Sequence, residues 1–328
     1  MARSFLAFAF ARKTATPPIC VYFRVSPDCL AAQDCLQYVP IIKGRVLWDV
    51  YPQYQAAAPL RENEWKHIRL VISGKRMNVF VNGRTEPSLR VAHLDGEAAI
   101  GTIAFEGTAC YVNVTLEPGV TDGLDPKPTP DPAATDRRYL VHWQGTDPVP
   151  LGATEVPDLS KLPESPSSWS PVAADYGGLI NLGRFHAPIP KDQPRQMIWL
   201  RTTVQSDREQ VGHVSVGWLR EIWVFADGKP VFSGKNLYNV KGGRKAPDGR
   251  LSLENDGFDL PLHRAKNEIV VAIDGNTPDM ARTLRMGFHH AHGSSRRHYG
   301  KVASRAAEFL FTQAIVESSP LSCRIFGF

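Results

Sequence analysis

Nowhere in its 328 residues does the chain stay apolar for the ~18 residues that a membrane-spanning helix needs, so no membrane span is expected. Cysteine is scarce and odd in number: Cys20, Cys29, Cys35, Cys110 and Cys323, with no CxxC pair. That excludes a disulfide-stapled scaffold and the common zinc spacings. One or two bridges remain open, and spacing alone does not assign them. The Gly-rich basic stretch Tyr238–Arg250 lacks GxxxxGK[ST], which excludes a P-loop and leaves a surface hairpin. No Ser/His/Asp order with a nucleophile elbow occurs. Net charge is also small. Residues Ser294–Phe328 carry five Lys/Arg against two Glu and so supply +3 of the formal +5. The remaining body is nearly neutral, which argues against a nucleic-acid-binding surface.

Glycine and proline are plentiful, 26 of each, and favour short strands and turns over long helices. "ICVYFRV", "RVLWDVY", "WKHIRLVIS", "MNVFVNG" and "IGTIAFEG" are rich in β-branched and aromatic residues and read as strands. Ile68, Leu70 and Ile72 fall on one face of the third of these, and Val79 and Val81 on one face of the fourth. The opening "MARSFLAFAFARKT" invites a signal-peptide reading, but "ARK" stands where small cleavage-site residues belong, which favours a strand. Prolines at 118, 126, 128, 130 and 132 mark residues 117–138 as an extended linker. The expected organisation is a first domain over 1–116, that linker, a second domain over 139–293, and a tail over 294–328. The second domain again reads as strands, after a Pro/Ser-rich loop over Asp147–Ser170. A helical period appears only in Gly300–Ser319, through Val302, Ala306, Phe309, Leu310 and Ile315. The stretches Met77–Pro87 and Ile222–Phe232 share a pattern, each reversing at Asn-Gly or Asp-Gly. A tight primed turn needs positive φ at both central positions, so they read as one turn used twice rather than as a repeat.

The motifs "LQY-P", the aromatic stretch Trp48–Tyr54, "EWKHIRLVISG", "VFVNG" followed by "EP-L", and "GTIAFEGTACY" resemble concanavalin A-like lectin/glucanase jelly rolls. The likeness is to the laminin-G-like and keto-disaccharide-hydrolase-like branch common in bacterial secreted proteins. It covers roughly Phe5–Leu116 and implies a jelly roll lacking its opening strands. "WLRTTV", "IWVFADGKPVF", "DGFDLPLHRAKNEIVVAIDG" and "MGFHH" resemble, more loosely, galactose-binding-like sandwiches. Ala265 or Lys266 stands where that family usually has Gly. Together these imply an all-β chain of two antiparallel sandwiches, an extracytoplasmic location and carbohydrate as partner. One sandwich hosts lectins, hydrolases and inert adhesion modules, so activity does not follow from fold.

Sugar rings stack on aromatic faces while nearby polar groups bind their hydroxyls. Trp48, Tyr51 and Tyr54 are the candidate platform, with Arg24, Gln37 and Tyr38 as partners. Asn236 and Tyr238 are candidates in the second domain, where Trp199, Trp218 and Trp223 read as core. A glycosidase needs two facing carboxylates. Asp28, Asp34, Asp49, Glu62, Glu64 and Glu86 are scattered near turns instead, and no catalytic residue is assigned. His290 and His292 could share a strand face, but no carboxylate alternates with them, so no metal site is assigned. No cofactor is expected. Structural calcium stays open, with Asp256, Asp259 and Asp274 as ligands that no spacing singles out. The leading expectation is a non-catalytic glycan-binding or adhesion protein. The alternatives are a glycan-active hydrolase or its accessory module, and a structural module with no ligand.

Overall fold

The structure is a computed structural model that describes residues 5–11, 19–43, 45–95, 102–106, 109–186, 194–237, 249–274, 283–289 and 313–319. The chain is all-β, and every strand pair is antiparallel. It divides into two compact units, residues 1–129 with 298–328, and residues 130–297.

In the first unit one sheet runs in the order Arg45–Val46, Leu36–Ile42, Ile19–Arg24, Phe5–Ala11, Thr102–Glu106, with Gln55–Ala56 paired to Leu36–Ile42. The other runs Cys110–Glu117, Gln313–Ser319, Lys66–Ser73, Arg76–Val81, Leu89–Val91. The expected alternation is present: Ile68, Leu70, Val79 and Val81 are buried, and Ile72 is half-buried on the same side. Val71, on the other face of its strand, is buried as well.

One sequence expectation is overturned. Gln313–Ser319, the end of the segment with helical period, is a strand inserted between Cys110–Glu117 and Lys66–Ser73, with Val316 opposite Ile68. The ladder groups offered by Lys66–Ser73 outweigh the local period, and Ile315 and Val316 are β-branched. The earlier part of that segment lies outside the described residues.

Residues after Glu117 are held to their own unit. Lys75 N donates to Pro126 O at 2.8 Å, and Thr129 N to Ala92 O at 3.1 Å. Arg69 pairs with Asp122 and stacks its guanidinium over Phe80. Gly74, at φ +53°, admits this approach, because a Cβ there would lie 2.3 Å from Pro126 O.

The second unit pairs a larger sheet with a smaller one. The larger runs Ser170–Ala173, His142–Gly145, Gln196–Ser206, Ala265–Asp274, Arg220–Ala226, Lys229–Asn236. The smaller runs Leu179–Asn181, Thr283–His289, Gln210–Trp218, Asp256–Leu262. Ile198, Leu200, Val224 and Val271 meet Val214, Val216, Leu260 and Leu284 in the core. The outer face of the larger sheet is also covered: Met197, Trp199, Phe225 and Val270 pack with Leu151 and Trp169 from the Pro/Ser-rich segment. This explains the unbroken run Met197–Leu200, buried on both faces, where one-sided burial would give alternation. Arg195 fastens the covering segment. Its Nη1 donates to the carbonyls of Gly152, Ala153 and Glu155, at 3.3, 3.4 and 2.9 Å. Its Nε reaches Asp274 at 3.1 Å and its Nη2 reaches Glu221 at 3.3 Å.

The two Asx-Gly turns share one construction. Asn82 and Gly83 have φ of 55° and 67°, and Asp227 and Gly228 have 46° and 78°. Only the second closes a tight hairpin, Ala226 opposite Lys229. After Asn82-Gly83 the chain runs on through exposed residues 84–86 before pairing resumes at Leu89. Each Asx residue also docks on a neighbouring strand. Asn82 N donates to His67 O at 2.7 Å, and its Oδ1 accepts His67 N at 3.1 Å. Asp227 N donates to Glu268 O at 3.0 Å, and its Oδ1 accepts Glu268 N at 2.8 Å. Positive φ turns the backbone carbonyl away from the ladder, and the side-chain oxygen takes its place.

Candidate functional site

The aromatics singled out from sequence separate by face. Tyr38, Tyr51 and Tyr54 are core residues with exposures of 0%, 1% and 2%. Tyr54 stacks on Tyr51 at 5.9 Å between centroids and meets Tyr38 at 5.3 Å. Their polar atoms serve the fold: Tyr54 Oη donates to His93 O, and Tyr38 Oη accepts Asp95 N. A stacking platform needs an open ring face, which none of the three offers. This corrects the expected platform. The short turn Pro52–Tyr54 directs its last ring inward, a direction that sequence proximity to Trp48 does not reveal.

Trp48 is half-buried against Cys20, Tyr22 and Val39. Its carbonyl accepts Gln37 Nε2 at 2.6 Å and Gln55 Nε2 at 2.8 Å. Gln37 also accepts from Tyr22 Oη, and Arg24 pairs with Asp34 at 2.7 Å. Gln37 and Arg24 thus brace the sheet and the turn beside it. Asn236 is buried, its Nδ2 bound to Trp218 O at 2.7 Å and Arg250 O at 3.0 Å. Tyr238 lies outside the described residues. Trp199 and Trp218 are buried as expected, whereas Trp223 is half-buried beneath Arg195. Asp274 faces the Arg195 guanidinium, Asp259 faces His213, and Asp256 accepts Gly257 N. These three aspartates therefore do not gather around one ion.

A different place offers a sugar-sized surface. Trp65, immediately before the strand Lys66–Ser73, is 48% exposed. It borders an open hollow of about 590 Å³ lined also by Lys66, His67, Asn82 and Gly83. The Asn82 anchor on His67 holds the turn against this strand start, and Asn82 Nδ2 ties it to Pro59 O at 2.8 Å. Gly83 leaves the rim open, since nothing lies within 4 Å of where its Cβ would be. Lys66 is 7% exposed and donates from Nζ to Glu64 O at 2.7 Å. Burial of the ammonium holds its pKa below the ordinary lysine range, while Glu64 and Glu62 oppose that shift. The hollow therefore joins an indole face to amide, imidazole and ammonium donors. Trp65 was quoted within "EWKHIRLVISG" as a fold marker; flanked by charged residues, it carried no signal of exposure.

Cys29 and Cys35 form a disulfide, with Cα atoms 5.5 Å apart. Cys20 and Cys110 are free.

No family model matches the chain, and no curated protein matches it. Among solved structures it is similar to a β-glucosidase from Kluyveromyces marxianus, at 9% identity and a TM-score of 0.31, over 46% of this chain and 16% of that one. A GH31 α-xylosidase from Xanthomonas citri is 11% identical, with a TM-score of 0.24 over 95% of this chain and 38% of the xylosidase. An exo-β-1,3-galactanase from Phanerochaete chrysosporium is 9% identical, with a TM-score of 0.22 over 86% and 56%. The chain thus spans less than a fifth of the glucosidase's length. At these scores the likenesses transfer no activity. No described helix is long and apolar enough to cross a membrane.

Proposed function

We propose that the chain is a non-catalytic glycan-binding protein whose contact surface is the Trp65 hollow. The observation that carries this reading is the half-exposed indole beside Asn82, His67 and Lys66 on a rigid strand start. A sugar presents an apolar ring face and a rim of hydroxyls, and this surface offers both complements. In this reading residues 1–116 act as a concanavalin A-like jelly roll and 139–293 as a galactose-binding-like sandwich. The Cys29–Cys35 disulfide supports an extracytoplasmic location, because such bonds persist in oxidising compartments.

The test is a glycan array with purified wild-type protein and Trp65→Ala, followed by calorimetry on any sugar that binds. Trp65→Ala should lower affinity at least about tenfold, or ~1.4 kcal/mol, with unchanged circular dichroism. Equal binding by both proteins removes the hollow as the site. A blank array for the wild type favours a structural module with no ligand.

A further inference from the structure

The smaller sheet of the second unit carries a second site on its solvent side. Val214 and Val216 are fully buried in the core, so the strand period of two places His213 on the outer face. Strand register sets three residues in one row across three adjacent strands: Asp259 opposite His213, and His213 opposite His289. His213 and Asp259 are exposed, with side-chain exposures of 50% and 74%, and His213 Nδ1 lies 2.9 Å from Asp259 Oδ1. No group of three metal-ligating side chains forms among the described residues; the third member here enters through the backbone register of His289.

Directly opposed residues of an antiparallel pair have Cβ atoms about 4.5–5.5 Å apart, a separation two imidazoles can bridge through one ion. A carboxylate that accepts the Nδ1 proton leaves Nε2 with its lone pair, the state in which histidine ligates metal. Gly257, on the same face, keeps that nitrogen uncovered, since a Cβ there would lie 2.7 Å from His213 Nε2. Exposed ion pairs add little to stability, so folding alone gives slight reason for this row. Two imidazoles with one carboxylate suit zinc, nickel or copper(II), whereas calcium and magnesium take oxygen ligands.

We propose that this row binds a divalent transition-metal ion, with the histidine pair as nitrogen donors and Asp259 orienting His213. Solvent completes the coordination on the open side. The site is independent of the Trp65 hollow.

The experiment is calorimetric titration of untagged full-length protein with zinc chloride at neutral pH, and with calcium chloride as contrast. One zinc site is expected. Its affinity should fall at least about tenfold in His213→Ala and in His289→Ala, and about tenfold in Asp259→Asn. Binding should weaken as pH falls through the imidazole range, because the ligand must be neutral. Zinc should raise the melting temperature of wild type and leave that of His213→Ala unmoved. The proposal is overturned if wild type takes up no zinc, or if His213→Ala binds like wild type. It is equally overturned if only His290→Ala, His292→Ala or His298→Ala abolishes binding.

Discussion

Removing the Arg195 guanidinium should loosen the second unit from its outer face inward. Arg195→Ala deletes two charged contacts, to Asp274 and Glu221, and three donations to the carbonyls of Gly152, Ala153 and Glu155. Arg195 and Asp274 have side-chain exposures of only 8% and 1%, so solvent does not replace the lost partner. Breaking such a buried pair costs about 3–5 kcal/mol. Two features place the expected loss near the lower end, ~3 kcal/mol at neutral pH. Glu221 keeps Lys235 at 3.1 Å, so its charge is not stranded. Asp274 already has its pKa raised by burial, opposed by Arg195 and Arg220, so without Arg195 it takes up a proton more readily. The sign follows. A carboxyl whose folded pKa is raised favours folding below its unfolded pKa, and that contribution is lost as pH rises through the folded value. The gap between wild type and Arg195→Ala should therefore widen with pH and shrink toward acid. Urea denaturation followed by tryptophan fluorescence reads it, since five of the seven tryptophans, Trp143, Trp169, Trp199, Trp218 and Trp223, lie in this unit. A gap below about 1 kcal/mol at neutral pH, or one that grows toward acid, would refute the reasoning.

Gly74→Ala should cost about 2–4 kcal/mol in thermal denaturation of the first unit, because it combines left-handed backbone with a Cβ 2.3 Å from Pro126 O. Equal melting would show that residues near Pro126 do not pack on this turn. Cys29→Ser should cost about 2 kcal/mol, and reductant should then destabilise wild type but not the variant. Lys66→Met removes a buried ammonium. Because the folded pKa of Lys66 is lowered, wild type should gain stability relative to the variant as pH rises through that lowered value. A pH-independent difference between the two melting curves would contradict the desolvated ammonium.

What the sequence disclosed depended on how local the cause was. Alternation in Lys66–Ser73 and Arg76–Val81 exposed the strands, since burial on one face leaves a period of two. Asn82-Gly83 and Asp227-Gly228 disclosed their positive φ, which is a property of those residues alone. Sidedness was hidden. Tyr51 and Trp48 are close in sequence, yet Tyr51 joins the core and Trp48 covers Tyr22. Trp65 was hidden for the opposite reason, since exposure depends on what fails to pack over it. The strand at Gln313–Ser319 depends on a ladder partner hundreds of residues away and so has no local signature. The Cys29–Cys35 bond was one pairing among several that five cysteines permit.

The Asn82 anchor has a consequence for engineering. His67 and Pro59 both hold Asn82, and Ser88 N returns to Val79 O at 2.8 Å. Everything between, from Gly83 to Pro87, is clamped at both ends and exposed through Glu86. Such a tip can be lengthened or rewritten without altering the sheet beneath it. With the Trp65 indole beside it, it forms a ready scaffold for selecting new binding specificities by loop randomisation.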